Sequence, residues 1–396
     1  MLYTILNMNT ESGASIHTEI VARKLMGLGH DIILMAPARS AATPFKIFPF
    51  KTLYLGIFSS GSIFNKLIED VDGVVKLIRL IKSGWRPEAV YVRFGFSTIF
   101  FPIACKILRL PYITEINGSY EQQLLTRRIP KVFVAFLRSI ELLNYICSDR
   151  IVAVSDEIAR VVGAMKPIKM ANITVVTNGV DIPELSTSVA KNSELEYRIR
   201  GNSAKLVFGF VGIFEKWHGI SNLVQAVSIL KNNHPKIASE MRVVLIGDGT
   251  ERTALEKEII VRDVDDVVKL LGWVDHKDLF DYLALVDVAV APYLAVNPLG
   301  CSLKILEYMA AGKWVITTEM PVVSDIIRKL DAGMNLKSND PQALADAMSH
   351  AWDNRREFWK KADVTKSYIK DNYSWDVIIR QIELVIISAT KDSIKS

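Results

Sequence analysis

The sequence predicts an α/β protein made of two parallel-sheet domains, and three observations carry that expectation. Short apolar runs alternate with stretches of helical periodicity along the 396 residues, the pattern that gives parallel strands joined by helical crossovers. The alternation runs through two series, separated by an aperiodic stretch at 186–204. Each series is long enough to bury a core of its own. The expected organisation is one parallel-sheet domain over 1–185, a linker over 186–204, a second parallel-sheet domain over 205–372, and a last helix over 373–396 that packs back on the first domain.

In chain order, Leu2 to Met8 reads as a buried strand, followed by a polar loop containing Gly13. Ile16, Ile20, Val21, Leu25 and Leu28 then recur at helical spacing up to Gly29, a natural C-cap, and Asp31 to Met35 is the next strand. Such a loop at a strand's carboxyl end is where open α/β sheets bind ligands. His17 falls in the first turn of that helix. Pro44 to Phe64 reads as irregular and aromatic, and Leu67 to Ser83 as a basic helix. Strands follow at 89–92, 112–116, 150–155 and 173–176; the second of these ends in Glu115 and Asn117, on the ligand side of a parallel sheet. The second series has strands at 206–211, 242–246, 267–271, 287–291 and 314–317 with helices between, and the chain is helical after Pro341.

Half the residues are apolar and 23% are charged, as in a folded globular protein. Three dispersed cysteines give neither a metal-ligand spacing nor a disulfide framework, which points to a reducing compartment. Met1 to Leu6 reads as strand rather than signal peptide, and the longest apolar run, Phe94 to Cys105, is too short to span a bilayer. A cytoplasmic protein is therefore expected. Positive charge is concentrated early: residues 1–186 hold 21 Lys and Arg against 15 Asp and Glu, and the rest 27 against 28. That asymmetry suits an anionic membrane surface or a phosphorylated substrate, and simple solubility explains it equally well. No nucleic-acid motif accompanies it. The segment Arg127 to Ser139, where basic residues interleave with Val132, Phe133, Phe136 and Leu137, suits an interfacial helix on the inner face of a membrane. A core helix with snorkelling cations fits as well.

The densest cluster of chemistry is Asn297 to Gly312, NPLGCSLKILEYMAAG. A loop with Gly300, Cys301 and Ser302 enters a short helix carrying Lys304 and Glu307, which lie on one face because they are three residues apart. The loop meets a helix start, where free N–H groups hold anions. Lys304 suits a phosphate and Glu307 the hydroxyls of a ribose, although an ordinary amphipathic helix with a solvated pair would look the same. Lys216, His218 and Gly219 precede another helix start. Together with Lys304, they make a two-sided diphosphate clamp.

In order, SGASIH, GLGHDI, PYITEING, RIVAVS, VVTNGVDI, FVGIFEKWHG, VVLIGDG, LLGWV, VDVAVAPY, SLKILEYMAAGKWVIT and YSWD resemble the GT-B fold glycosyltransferases, most closely the retaining family 4 group, over nearly the whole chain. The resemblance implies two Rossmann-like domains with parallel sheets facing across a cleft, the donor held mainly by the second and the acceptor by the first. It implies a glycosyltransferase that moves a sugar from a nucleotide diphosphate sugar, UDP- or GDP-linked, to a glycan or lipid-linked acceptor in surface polysaccharide or glycolipid assembly.

Carried over by position, Glu307 matches the glutamate that binds the donor ribose, and Lys304 a lysine near the diphosphate. Gly300, Cys301 and Ser302 match backbone contacts to phosphate or sugar. Gly13 and Ala14 match the loop that closes on the donor. Glu115 and Asn117 stand where many members carry a histidine near the reacting sugar. The resulting expectations are Lys216, Lys304 and Glu115 as catalytic residues, with Gly13, Ala14, His218, Gly219, Gly300, Cys301, Ser302 and Glu307 on the donor, and His17 and Asn117 on the acceptor. No metal and no cofactor are expected. Two positions depart from the pattern: Leu299 replaces the first motif glutamate, and Ile213 the phosphate-loop arginine. These departures keep a silent partner subunit in view beside a nucleotide-sugar epimerase. A dinucleotide oxidoreductase lacks its glycine fingerprint here.

Overall fold

The computed structural model describes residues 2–4, 13–37, 49–55, 63–93, 98–118, 131–182, 193–201, 204–294 and 300–395. The chain divides into two compact units, one of Met1–Gly179 with Trp375–Ser396 and one of Val180–Ser374.

The first unit runs β1 (Leu2–Thr4), α1 (Gly13–Gly27), β2 (Ile33–Pro37), β3 (Lys51–Leu55), α2 (Ile63–Lys82), β4 (Val90–Arg93), α3 (Phe100–Ile107), β5 (Tyr112–Ile116), α4 (Lys131–Cys147), β6 (Arg150–Ala153), α5 (Asp156–Gly163) and β7 (Ile173–Val175). Its seven strands pair in parallel in the order β3-β2-β1-β4-β5-β6-β7. Because strand side chains alternate in direction, neighbouring residues enter different cores. Tyr91 and Ile113 pack with Val21, Leu25, Ile378 and Ile382 on one face. Val90, Val92 and Tyr112 pack with Leu77, Phe101 and Cys147 on the other. Both faces are covered, which is why β2 and β5 are buried at every position.

The second unit runs α6 (Ser193–Arg200), β8 (Leu206–Val211), α7 (Ile220–Asn233), α8 (Pro235–Glu240), β9 (Met241–Ile246), α9 (Arg252–Val261), β10 (Val268–Gly272), α10 (Leu279–Ala284), β11 (Val288–Ala291), α11 (Leu303–Ala310), β12 (Trp314–Thr318), α12 (Val323–Leu330), β13 (Gly333–Leu336) and α13 (Pro341–Tyr373). Its sheet is again parallel, in the order β10-β9-β8-β11-β12-β13. The last helix, α14 (Trp375–Lys395), belongs to the first unit, where Trp375, Ile378, Ile379 and Ile382 share a core with α1.

Two segments differ from the sequence expectation. The stretch Pro44 to Phe64 contains a strand, β3, whose residues are mostly half-buried because it lies at the sheet edge with a single strand neighbour. Residues 186–204 are not all linker. Helix α6 is polar overall but buries Leu195 and Ile199 one turn apart, and Arg200 grips Asp287 at 2.7 Å. Two apolar anchors in eight residues are too few to register as periodicity.

Strand order fixes where ligands bind. In each unit the order reverses beside the first strand of the series, between β1 and β4 and between β8 and β11. A crevice opens at the carboxyl ends of such a pair, since the flanking connections leave toward opposite faces.

Candidate active site

In the second unit, β8 and β11 end side by side, and the chain after each carries the polar residues the sequence singled out. After β8, a single turn over Lys216–His218 leads through Gly219 into α7. Gly219 holds φ at +67° and lies so close to its neighbours that a Cβ there would stand 2.0 Å from the Pro292 carbonyl and 1.9 Å from Asn339 Nδ2. Only glycine fits this position. Leu294 N–H donates to the Trp217 carbonyl at 3.0 Å, tying the chain after β11 to the chain after β8.

The centre of this site is Lys304, on the first turn of α11. Its Nζ is buried and has no hydrogen-bond partner among the described residues. It lies 4.1 Å from the centroid of Phe210, the penultimate residue of β8, and 5.5 Å from that of Tyr293. Gly212, at φ +137°, makes room for it, because a Cβ at that position would be 2.6 Å from Nζ. Burial pulls the amine down to about 7, against the opposing pull of Glu307. The ring faces partly compensate a cation there, but nothing described completes its hydrogen bonding.

His218 shares the aromatic cage, its ring 5.6 Å from Phe210 and 5.4 Å from Tyr293. Its Nδ1–H donates to the Ile213 carbonyl at 2.6 Å, which fixes the tautomer and leaves Nε2 as an acceptor. Burial and then Lys304 push its pKa down to about 3, so the ring is neutral at physiological pH. A neutral His218 offers a lone pair rather than a second positive charge. Lys216 is exposed on the turn before it, and Ile213, in the arginine position, is 41% exposed. Trp217 is half-exposed and stacks on Tyr293 at 5.6 Å, forming an aromatic ledge.

Ser302 and Cys301 are buried, and Gly300 is half-buried. The Ser302 hydroxyl pairs with Tyr293 Oη at 2.9 Å, which holds the entry to α11 against β11. Tyr308, fully buried, accepts from Val211 N–H at 2.8 Å and pins α11 to the end of β8. Glu307, one turn beyond Lys304, meets His276 Nε2 at 3.0 Å. Leu299 lies outside the described residues.

In the first unit, Gly13 opens α1, Ala14 is half-buried in its first turn, and Ala14 O accepts from the Thr18 hydroxyl at 3.0 Å. His17 is on the next turn, 3% exposed, and meets Glu115 at 3.0 Å. Parallel register sets Arg93 opposite Glu115. Arg93 therefore donates to Glu115 Oε1 at 2.9 Å, while Tyr91 donates to Oε2 at 2.7 Å and Asn117 also donates to Oε1. Burial opposes the charge on Glu115, but His17, Arg93 and the donated hydrogen bonds outweigh it and hold the carboxyl far below the usual range. Burial keeps His17 below its ordinary value, with Glu115 opposing and Arg93 assisting.

Glu115 is thus 2% exposed with both oxygens engaged. It anchors the network rather than presenting a free base. The groups left over are His17 Nδ1 and Asn117 Oδ1, which are buried and unpartnered among the described residues. Tyr91 and Arg93 were not singled out in the sequence, because at a strand end they read as core and surface. Register with Glu115 was the available signal.

Among the described residues, no group of three or more His, Cys, Asp or Glu side chains could hold a metal ion, and no helix is long and apolar enough to cross a membrane.

Two family descriptions match the chain: "Glycosyltransferase Family 4" over residues 12–184 and "Glycosyl transferases group 1" over 205–354. A glycogen synthase of Mycobacterium tuberculosis is 23% identical over 325 residues, covering 79% of this chain and 73% of that protein. A D-inositol 3-phosphate glycosyltransferase of Corynebacterium urealyticum is 27% identical over 219 residues, 54% of this chain and 50% of its own. Among solved structures, a glycosyltransferase from Rickettsia africae superposes with a TM-score of 0.76 at 18% identity over 98% of both chains. The Anabaena protein HepE, solved in complex with UDP, gives a TM-score of 0.74 at 16% identity over 98% of this chain and 99% of its own. The structural likenesses establish the fold, and the family matches cover both units. The chain belongs to the family 4-like glycosyltransferases of the GT-B fold.

Proposed function

We propose that the protein transfers a glycosyl unit from a nucleotide diphosphate sugar to a glycan or lipid-linked acceptor, with retention of configuration. The observation that carries this reading is the Lys304 amine, buried at the β8/β11 switch point and without a partner among the described residues. A buried donor without an acceptor is costly, and an incoming diphosphate would supply the missing acceptor. HepE was also solved with UDP-glucose, which makes UDP-sugars the first donors to test and GDP-sugars the second.

In this mechanism Lys304 and Lys216 meet the negative charge that grows on the departing diphosphate, joined by the N–H groups at the starts of α7 and α11. Preorganised stabilisation of this kind is usually the largest contribution to catalysis. Neutral His218 accepts a hydroxyl hydrogen bond from the sugar, and Gly300, Cys301 and Ser302 contribute backbone contacts. Glu307 accepts from the ribose. With these residues carrying the charge, the reaction needs no divalent cation, and undiminished transfer in a chelator tests that point.

On the acceptor side, His17 Nδ1 and Asn117 Oδ1 are the polar groups left unpartnered among the described residues, positioned by Glu115, while Gly13 and Ala14 at the start of the His17 helix face the donor. Exposed Phe100, Ile103 and Ile107 on α3 and Val132 and Phe136 on α4, with exposed Lys106, Arg109 and Arg138, suit peripheral binding to an anionic membrane at the cytoplasmic face. Co-sedimentation with anionic but not neutral vesicles tests it.

The deciding experiment measures binding and nucleotide release for a panel of UDP-, GDP- and ADP-sugars with wild type and Glu307→Ala. One tightly bound donor, weakened in Glu307→Ala and released slowly as nucleotide, is the expected result. A protein that binds none of them would sink the reading. Product stereochemistry by NMR then tests retention.

A further inference from the structure

The pairing of Glu307 with His276 was not legible in the sequence, and its geometry has a specific use. His276 opens a short turn, His276–Asp278, after β10, and the chain continues directly into α10. Leu279 and Leu283 of α10 are buried in one core with Ile305, Leu306 and Met309 of α11. That packing sets the start of the turn against Glu307, and His276 Nε2 lies 3.0 Å from Glu307 Oε1. Glu307 is 17% exposed and His276 34% exposed, so both line an accessible surface rather than a closed core. Glu307 Oε2 carries no hydrogen bond among the described residues.

We infer that His276 is a positioning residue for donor recognition: by donating to Oε1, it turns Oε2 of Glu307 toward the 2′- and 3′-hydroxyls of the nucleotide ribose. This rests on the proposed role of Glu307. A glutamate side chain has three rotatable bonds, and a carboxylate must be held in one orientation to accept from two vicinal hydroxyls together. Without His276, nothing described on α10 or α11 fixes that orientation. A hydrogen bond to a charged group corresponds to roughly 10- to 100-fold in Kd, and the part of it owed to the 2′-hydroxyl is read by comparing ribose with 2′-deoxyribose.

The experiment measures Kd for UDP and 2′-deoxy-UDP, or the guanine pair if GDP binds tighter, with wild type, Glu307→Ala, His276→Ala and His276→Gln. Wild type is expected to prefer the ribonucleotide by roughly tenfold or more, on the same scale. In His276→Ala that preference falls to near unity while affinity for the deoxynucleotide changes little. The glutamine variant, which keeps a donor at similar reach, restores part of the preference. Equal weakening of both nucleotides in His276→Ala, with the preference intact, means that the histidine only supports the fold, and the inference fails alone. A Glu307→Ala protein that keeps the wild-type preference removes Glu307 from the ribose and overturns both readings.

Discussion

The Lys304 amine gives the sharpest prediction, because binding its ligand must change its protonation. Burial holds it at about 7 in the free protein, so at pH 8 roughly one molecule in ten carries the charge and each further pH unit costs about 1.4 kcal/mol. A bound diphosphate supplies the missing acceptor and two negative charges, and it restores the amine toward its ordinary value. Donor affinity should then be flat below pH 6 and weaken by roughly fifty-fold between pH 7 and 9. Calorimetry with a nucleotide sugar, whose diphosphate does not titrate in this range, reads it directly. Proton uptake, measured in buffers of different ionisation enthalpy, should rise from near zero at pH 6 to nearly one at pH 9. Lys304→Met keeps the aliphatic bulk over Phe210 and should bind weakly with no pH slope. A wild-type Kd that is constant from pH 6 to 9, with no proton taken up, would refute the reasoning. The same shift sets a stability trend: the folded value lies below the unfolded 10.5, so unfolded chains bind more protons between the two, and the Lys304 contribution to stability improves as pH rises through 7.

Three other perturbations have defined outcomes. Gly219→Ala combines a strained φ of +67° with contacts at 2.0 Å or less, and urea unfolding should show a loss of about 2–4 kcal/mol; an unchanged midpoint would contradict the packing described. Glu115→Ala strips a half-buried Arg93 of its partner and empties a buried polar site, at a cost of about 3 kcal/mol. Because the folded Glu115 pKa is depressed, its contribution is complete above the unfolded 4.5 and is lost as pH falls below it. Wild type should therefore lose stability steeply with acid below about pH 4.5 while Glu115→Gln shows a shallower slope over that window; identical slopes would place the carboxyl in an ordinary environment. Double replacement of Ile107 and Phe136 by Ser should leave soluble-donor binding unchanged and reduce co-sedimentation with anionic vesicles.

How much of this was readable in advance follows from the range of the interactions involved. The strands buried on both faces, such as Tyr112–Ile116 and Val288–Ala291, announce themselves as largely apolar runs, with Thr114 and Glu115 the buried polar exceptions. Edge strand β3 and helix α6 do not, since each buries only part of one face and its pattern is diluted by solvent-facing residues. Lys304 and Glu307 were visible because their spacing is local. The partners that define them were not: Phe210 and Tyr293 read as ordinary core, and His276 lies 31 residues from Glu307. His218 was visible as a residue, but its charge state depends on burial and on the Ile213 carbonyl, and neither is written in the motif.

The two switch points also differ in a way that bears on function. At Glu115, four polar groups converge on the carboxylate, which is satisfied within the unit. Its stability is high and its reactivity low, since any substrate must displace an existing strong bond to reach it. At Lys304 the opposite holds. The fold spends stability to keep a buried nitrogen that has no partner among the described residues, in a cage with aromatic walls that neutral His218, Tyr293 and Glu307 adjoin. Such a group cannot be justified by folding, because a leucine would pack there at no electrostatic cost. It is justified if its missing partner arrives with the substrate, since a donor already desolvated and oriented gives up no water when the anion forms. In the function proposed here the unsatisfied atom therefore belongs to the donor side, and the saturated carboxylate is the framework on which His17 and Asn117 are held.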